Sequence, residues 1–246
     1  ASGGQPASMF FMLRDGMTFP ACTTALLINL VMYTLATLTI GSLSVLFHFN
    51  LFRRMSLFSR ILIVVGWFIM TGLSLLFYML LRRGAILYRL CDRVMEMLGK
   101  RKLLSNLTKK QAKLKKKMAE YQQCSDEIAG HGRMLIRIFI INLLQRLSQI
   151  GVTFMIFMAL GEGFRTSVEG FVVQAFTALG SNSIPIPGGM GGADYLMLDG
   201  FGEILGRDAA SIEMLCRGCS FYVCIITSAL IVLAGYFMGR KRSLRK

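Results

Sequence analysis

The polarity pattern divides the chain into long apolar runs and short polar breaks. A helix needs about 20 mostly apolar residues to cross a bilayer core. Three runs meet that length cleanly: about 21–49, about 60–82 and about 212–238. A fourth, about 134–160, is apolar but carries Arg137, Asn142, Gln145, Arg146 and Gln149. Between the second and fourth runs lies a polar stretch, "LTKKQAKLKKKMAEYQQCSDEI", without Pro or Gly and rich in helix formers. It predicts a solvated helical hairpin over 83–133, inserted in a single transmembrane domain that covers 1–246. A lipid-surface or partner-docking role is the alternative for that insertion.

The segment "SNSIPIPGGMGGADYLMLDGF", Ser181 to Phe201, breaks the pattern. Pro185 and Pro187 stop the helix expected to begin near Val168. Gly188, Gly189, Gly191 and Gly192 permit a tight turn and close backbone approach to a ligand. A new helix is expected near Ala193, with Asp194 in its first turn. Its amides and positive dipole end suit an anion such as phosphate. Irregular backbone survives at membrane depth only inside protein or beside a water-filled cavity. The break is therefore expected inside the bundle, as the turn of a re-entrant hairpin or between two short spans. A plain outer loop is the bland alternative. The fold class is an all-α integral membrane protein, a polytopic helix bundle with a Gly/Pro-broken re-entrant hairpin.

Composition agrees: 54% hydrophobic, 17% charged, mean hydropathy +0.57 over 246 residues. The net charge of +15 does not indicate nucleic acid, because about half of the 28 basic residues fall between Arg82 and Arg133. Five more form the tail Arg240, Lys241, Arg242, Arg245 and Lys246. Basic residues beside apolar spans follow the positive-inside rule and attract anionic headgroups. Both basic segments are expected to be cytoplasmic, so 168–206 enters and leaves on the outer side. The pair Arg53–Arg54 then falls outside, against the rule. The chain begins at Ala1 rather than Met and reads as a piece of a longer protein; it shows no secretory signal pattern. Cys216, Cys219 and Cys224 share one apolar run, and without a second pair or a His cluster they read as small packing residues.

Ionisable groups in spans are costly and face a partner or cavity. Arg217 lies five residues into the last run, where it is placed to grip a lipid phosphate, to pair with Asp194 or Asp199, or to snorkel to the interface. Asn142, Gln145/Arg146, Gln149 and Thr153 recur at helical spacing and form one polar stripe, read as a headgroup path rather than a structural network. Glu169 and Gln174 are candidates to join it. Glu162, Arg165 and Asp208 read as outer-loop residues, and Arg137 as interfacial. His48 and His131 are the only histidines. No Ser-His-Asp or Cys-His set is evident, and no nucleotide-binding GxxxxGK[ST] is present.

"ASGGQPASMFFMLRDGMTF" resembles the GGQP element of the lysylphosphatidylglycerol synthase transmembrane family, the flippase-like part of multiple-peptide-resistance proteins. "IPIPGGMGGADYLML" resembles that family's Pro-Gly-Gly turn and following acidic residue, with Asp194 where Glu is usual. The last run, with Arg217, resembles the family's Arg-containing final span. The family's first spans precede GGQP and are not in this sequence. Full synthases add a soluble aminoacyl-transferase domain that is also not in it. The resemblance implies a bacterial, multi-pass plasma-membrane protein with a cytoplasmic C-terminus, moving phospholipid between leaflets. The substrate would be an anionic or aminoacylated lipid such as lysyl-phosphatidylglycerol. The alternative it implies is a phosphatidylglycerol lysyltransferase that uses lysyl-tRNA; a membrane scaffold is a third reading. The headgroup-binding candidates are Arg146, Gln149, Gln174, Gly188, Gly189, Gly191, Asp194 and Arg217. No cofactor or metal is expected, and homo-oligomerisation is left open.

Overall fold

The computed structural model describes residues 4–82, 132–182 and 189–243. The basic insertion, apart from Gly132 and Arg133, and Pro185, Pro187 and Gly188 of the broken segment lie outside the described residues. All regular structure among the described residues is helical. In chain order the helices are α1 (Gly4–Arg14), α2 (Phe19–Phe47), α3 (Phe49–Arg54), α4 (Leu57–Arg82) and α5 (Gly132–Ala159). They continue with α6 (Phe164–Ser181), α7 (Gly192–Leu205), α8 (Ala209–Arg217) and α9 (Val223–Ser243). A short 3-10 turn, Gly206–Asp208, precedes α8, and a π-helical turn, Gly218–Tyr222, joins α8 to α9.

Four helical segments are long and apolar enough to cross a membrane: Phe19–Phe47, Leu57–Met79, Gly132–Ala159 and Ala209–Leu233. They match the four apolar runs to within a few residues. The protein is a polytopic helical membrane protein. Large apolar side chains such as Phe68 on α4 and Ile231 on α9 point outward, as lipid-facing residues do. Several hydroxyls in the spans are satisfied within their own helix. Thr24, Thr37, Thr39 and Thr71 each donate to a carbonyl four residues back. Lipid offers no other acceptor.

The chain divides into two compact units. One comprises 1–39 and 67–145. In it Thr34 Oγ1 lies 3.5 Å from Ser74 Oγ, and Asn142 Nδ2 donates to Asn29 Oδ1 at 3.2 Å. These polar contacts tie α2 to α4 and α5 where their flanking residues are apolar.

The second unit comprises 40–66 and 146–246. Its centre is α6, of which Val172, Val173, Ala175, Phe176, Leu179 and Gly180 are all buried. Helix α7 packs antiparallel to it: Gly200 lies against Val173, and Gly180 against Leu196. The two helices rise about 27 and 21 Å at 1.5 Å per residue, short of a core about 30 Å thick. They form the expected hairpin. The hairpin's tip meets α2 and α4 at glycines. A Cβ on Gly41 would overlap the Leu179 side chain, and one on Gly66 would overlap the Leu179 carbonyl oxygen. Small residues allow such close backbone approach between helices in lipid. Gly41 is six residues inside the end of α2, and Gly66 nine inside the start of α4. That sets the tip about 9–14 Å below the span ends, approaching the midplane.

Two side chains of α7 fasten it to the start of α4. Asp199 Oδ2 accepts from the Ser56 amide at 2.9 Å, and Tyr195 Oη lies 3.1 Å from Ser56 Oγ. The Tyr195 ring stacks edge-on against Phe58. The stretch containing Arg53 and Arg54, expected as a short loop, is instead the six-residue helix α3, with both arginines exposed at its end.

Candidate functional site

The break between α6 and α7 follows from local chemistry. Helix α6 ends at Ser181, before the prolines, and its Asn182 amide still reaches the Ala178 carbonyl at 3.4 Å. Gly189 and Gly191 take φ of +62° and +81°, a region that L side chains resist. A Cβ at Gly189 would also crowd Ser181. Gly189 is buried and Gly191 exposed, so the turn is enclosed on one side only. Helix α7 then starts at Gly192 with Asp194 in its first turn.

Asp194 is the pivot. Its Oδ2 accepts from the Gly191 amide at 2.8 Å. Its Oδ1 pairs with Arg217 Nη2. The sequence left the amides of this helix start for an external anion; the structure gives the Gly191 amide to the helix's own carboxylate. A negative group there is favoured by the same dipole.

Arg217 is buried and does not snorkel: its side chain is only 9% exposed, whereas that of Asp194 is 37% exposed. The guanidinium contacts a second carboxylate, Glu213, at 3.7 Å from Nε to Oε1. It also lies 5.4 Å from the Phe221 ring centroid. Glu213 was not singled out from the sequence, though its position four residues before Arg217 is the helical pairing distance. Asp199, the other suggested partner of Arg217, is held by Ser56. Arg217 closes α8 and the π-helical turn follows at once. π-Helical turns inside α-helices often mark functional positions. The Ser220 hydroxyl donates to the Cys216 carbonyl at 2.6 Å across it.

The polar stripe of α5 is split rather than continuous. Arg146 and Thr153 are buried in the second unit, and Asn142 is buried in the first. Gln145 and Gln149 are exposed. Arg146 Nη1 donates to Gln149 Oε1 at 2.6 Å. Thr153 Oγ1 lies 3.4 Å from Gln174 Oε1 on α6 and in hydrogen-bonding contact with Cys216 on α8. Through Thr153 three helices meet one residue from Arg217. Glu169 does not join this set; it pairs with Arg165 one turn away at 3.6 Å. Cys22 and Cys216 are buried packing residues as expected, but Cys219 and Cys224 are exposed.

The chain matches the family model described as "Lysylphosphatidylglycerol synthase TM region" over residues 1–228. Comparison with curated proteins and with solved structures finds no match. The family match runs from the GGQP element through the broken hairpin to Arg217 and its π-helical turn. The chain therefore belongs to the lysylphosphatidylglycerol synthase transmembrane-region family, and is a membrane protein concerned with lipids.

Proposed function

We propose that this chain carries a phospholipid headgroup between leaflets along a polar path in its second unit. The observation that supports this most is the cluster Asp194–Arg217–Glu213. It gathers three ionisable groups inside a spanning region, beside a broken helix pair. Burying charge there is costly, and structural reasons alone seldom retain it. The eight residues after Ala209 put Arg217 about 12 Å into its span, level with the hairpin tip. A discontinuous element near the midplane is where transporters place their substrate sites.

Charge bookkeeping bears on the substrate. Two carboxylates face one guanidinium, so the fully ionised cluster is short of one cation. A headgroup ammonium would supply it, and that favours an aminoacylated lipid such as lysyl-phosphatidylglycerol over a plain anionic one. Arg146, with Gln149, and Gln174, with Thr153, extend the polar surface. Gly189 and Gly191 keep the turn open beside Asp194; Gly188, outside the described residues, is proposed as a headgroup contact on its sequence alone. The acyl chains would stay in lipid while the headgroup moves. Chain orientation follows the positive-inside reading, with the C-terminal tail cytoplasmic in a bacterial plasma membrane.

The test is a reconstitution. The chain is placed in liposomes containing fluorescent lipids, with or without a lysyl headgroup, and a membrane-impermeant quencher reports the reachable fraction. A protein-dependent rise for the lysylated lipid, abolished by Arg217→Ala in a folded protein, is the expected result. Folded Arg146→Ala and Arg217→Ala proteins that move lipid normally would sink the reading. No movement with any headgroup, together with new lysyl-phosphatidylglycerol in lipid extracts, would favour the transferase reading instead.

A further inference from the structure

The turn from α2 into α3 and the first turns of α6 enclose a cleft of about 370 Å³. Its lining combines two chemistries. Arg54, Arg165 and His48 face it with a single carboxylate, Glu169. Leu46 and Phe47 line it too, and both are about three-quarters exposed. The cleft lies at the very end of the α2 span, which stops at Phe47, so it sits at the depth of a bilayer interface. It is well away from Arg217, whose span level is that of the hairpin tip.

Exposed apolar residues together with guanidinium groups match the two halves of an interfacial lipid. The Arg165–Glu169 pair does not saturate the cations. At 3.6 Å, between residues one turn apart and with the Arg165 side chain 94% exposed, it is a weak surface pair. Two guanidiniums against one carboxylate leave a net positive cleft. Arginine holds phosphate oxygens with paired, charge-assisted hydrogen bonds. This also gives a role to Arg54, one of the two arginines that the loop-charge rule did not explain.

We propose that this cleft binds the phosphodiester headgroup of an anionic phospholipid, with Arg54 and Arg165 on its oxygens and Leu46 and Phe47 among its acyl chains. It is a second lipid site, and it does not depend on the transport reading of the Asp194–Arg217–Glu213 cluster.

Native mass spectrometry of the detergent-purified chain tests it, with phosphatidylglycerol and phosphatidylcholine titrated as probes. The expected result is one phosphatidylglycerol retained in preference to phosphatidylcholine. Arg54→Gln and Arg165→Gln should each weaken retention about tenfold, the scale of one charge-assisted hydrogen bond. Glu169→Gln should strengthen it a few-fold. Arg133→Gln removes the same charge at the start of α5, outside the cleft, and should leave retention unchanged. Equal losses in Arg133→Gln and the cleft variants would overturn the proposal, since general electrostatics would then suffice. Displacement by excess inorganic phosphate would overturn it in favour of a soluble phosphate site. If Arg54→Gln fails to fold, Arg165→Gln alone decides, because that side chain is almost wholly solvent-exposed.

Discussion

Two glycines of α4 offer a controlled test of how the hairpin is seated. Gly66 meets the hairpin tip; an added Cβ would overlap the Leu179 carbonyl oxygen and lie 2.9 Å from the Gly180 Cα. Both neighbours are backbone, so no side chain can rotate away. Gly72, less than two turns further along the same helix, has nothing within 4 Å of its added Cβ. Alanine gains up to about 1 kcal/mol over glycine in a helix interior wherever space allows. Overpacking against backbone costs about 1–3 kcal/mol. Gly66→Ala should therefore destabilise by up to about 2 kcal/mol net, and Gly72→Ala should stabilise by up to about 1 kcal/mol. Thermal unfolding in one detergent, followed by circular dichroism, reads both. The two Tm shifts should have opposite signs. On the transport reading, because Gly66 sets the depth of the tip, Gly66→Ala should also slow lipid movement while Gly72→Ala does not. Equal shifts of one sign would refute the close contact between α4 and the tip, and with it the placement of Asp194 near the midplane.

The acidic and basic members of the cluster should differ in a defined order. Arg217→Gln leaves the buried Glu213 carboxylate facing the half-buried Asp194 and should cost about 2–3 kcal/mol, less than a fully buried pair because Asp194 is partly solvated, while Glu213→Gln leaves Arg217 still paired with Asp194 and should cost no more than about 1 kcal/mol; chemical unfolding in mixed micelles ranks them, and the reverse order would discard the cluster geometry. On the transport reading, Glu213→Gln should nonetheless lose selectivity for the lysylated over the plain anionic lipid in the quenching assay, since the missing positive charge would no longer be called for. Asp199→Ala removes the acceptor of the Ser56 amide at the start of α4 and should cost about 0.5–2 kcal/mol, the usual worth of a helix cap; an unchanged Tm would show that this contact does not hold α7 in place.

The spans were legible because lipid imposes one requirement on every residue of a long run. Apolarity over about 20 positions sufficed, and the structure moved the ends by only a few residues. The hairpin was legible for a related reason: Pro and Gly at that density exclude continuous helix whatever surrounds them. Asp194 and Arg217 stood out as charges in apolar context, and the structure does bring them together. What sequence periodicity could not supply was the partner across space. Gln145 and Gln149 have the spacing of the stripe but not its burial, because a fixed spacing fixes angle around α5 without saying how wide the covered face is. Glu213 was overlooked because it sits near the start of its span, where a carboxylate reads as interfacial until α7 is known to come alongside.

The fixed positions of these groups also constrain how the hairpin can work. Asp194 is held twice, by the Gly191 amide behind it and by Arg217 beside it. The turn that carries it is bent through two residues of positive φ, and α7 is tied to α4 through Ser56. Buried Arg217 is enclosed between Glu213 and Phe221, whereas Asp194 keeps over a third of its side chain open. On the transport reading, a headgroup therefore meets the carboxylate first and reaches the guanidinium only by displacing it. An ammonium can approach Asp194 with Arg217 still paired; a phosphate must break that pair. On the transport reading, this asymmetry, more than the net charge, favours an amine-bearing lipid as the proposed substrate. Arg217→Lys makes it testable: lysine keeps the charge but loses the planar fork, so lysylated-lipid movement should survive while any movement that depends on phosphate gripping at this site falls. Loss of both alike would mean that the headgroup enters from the arginine side.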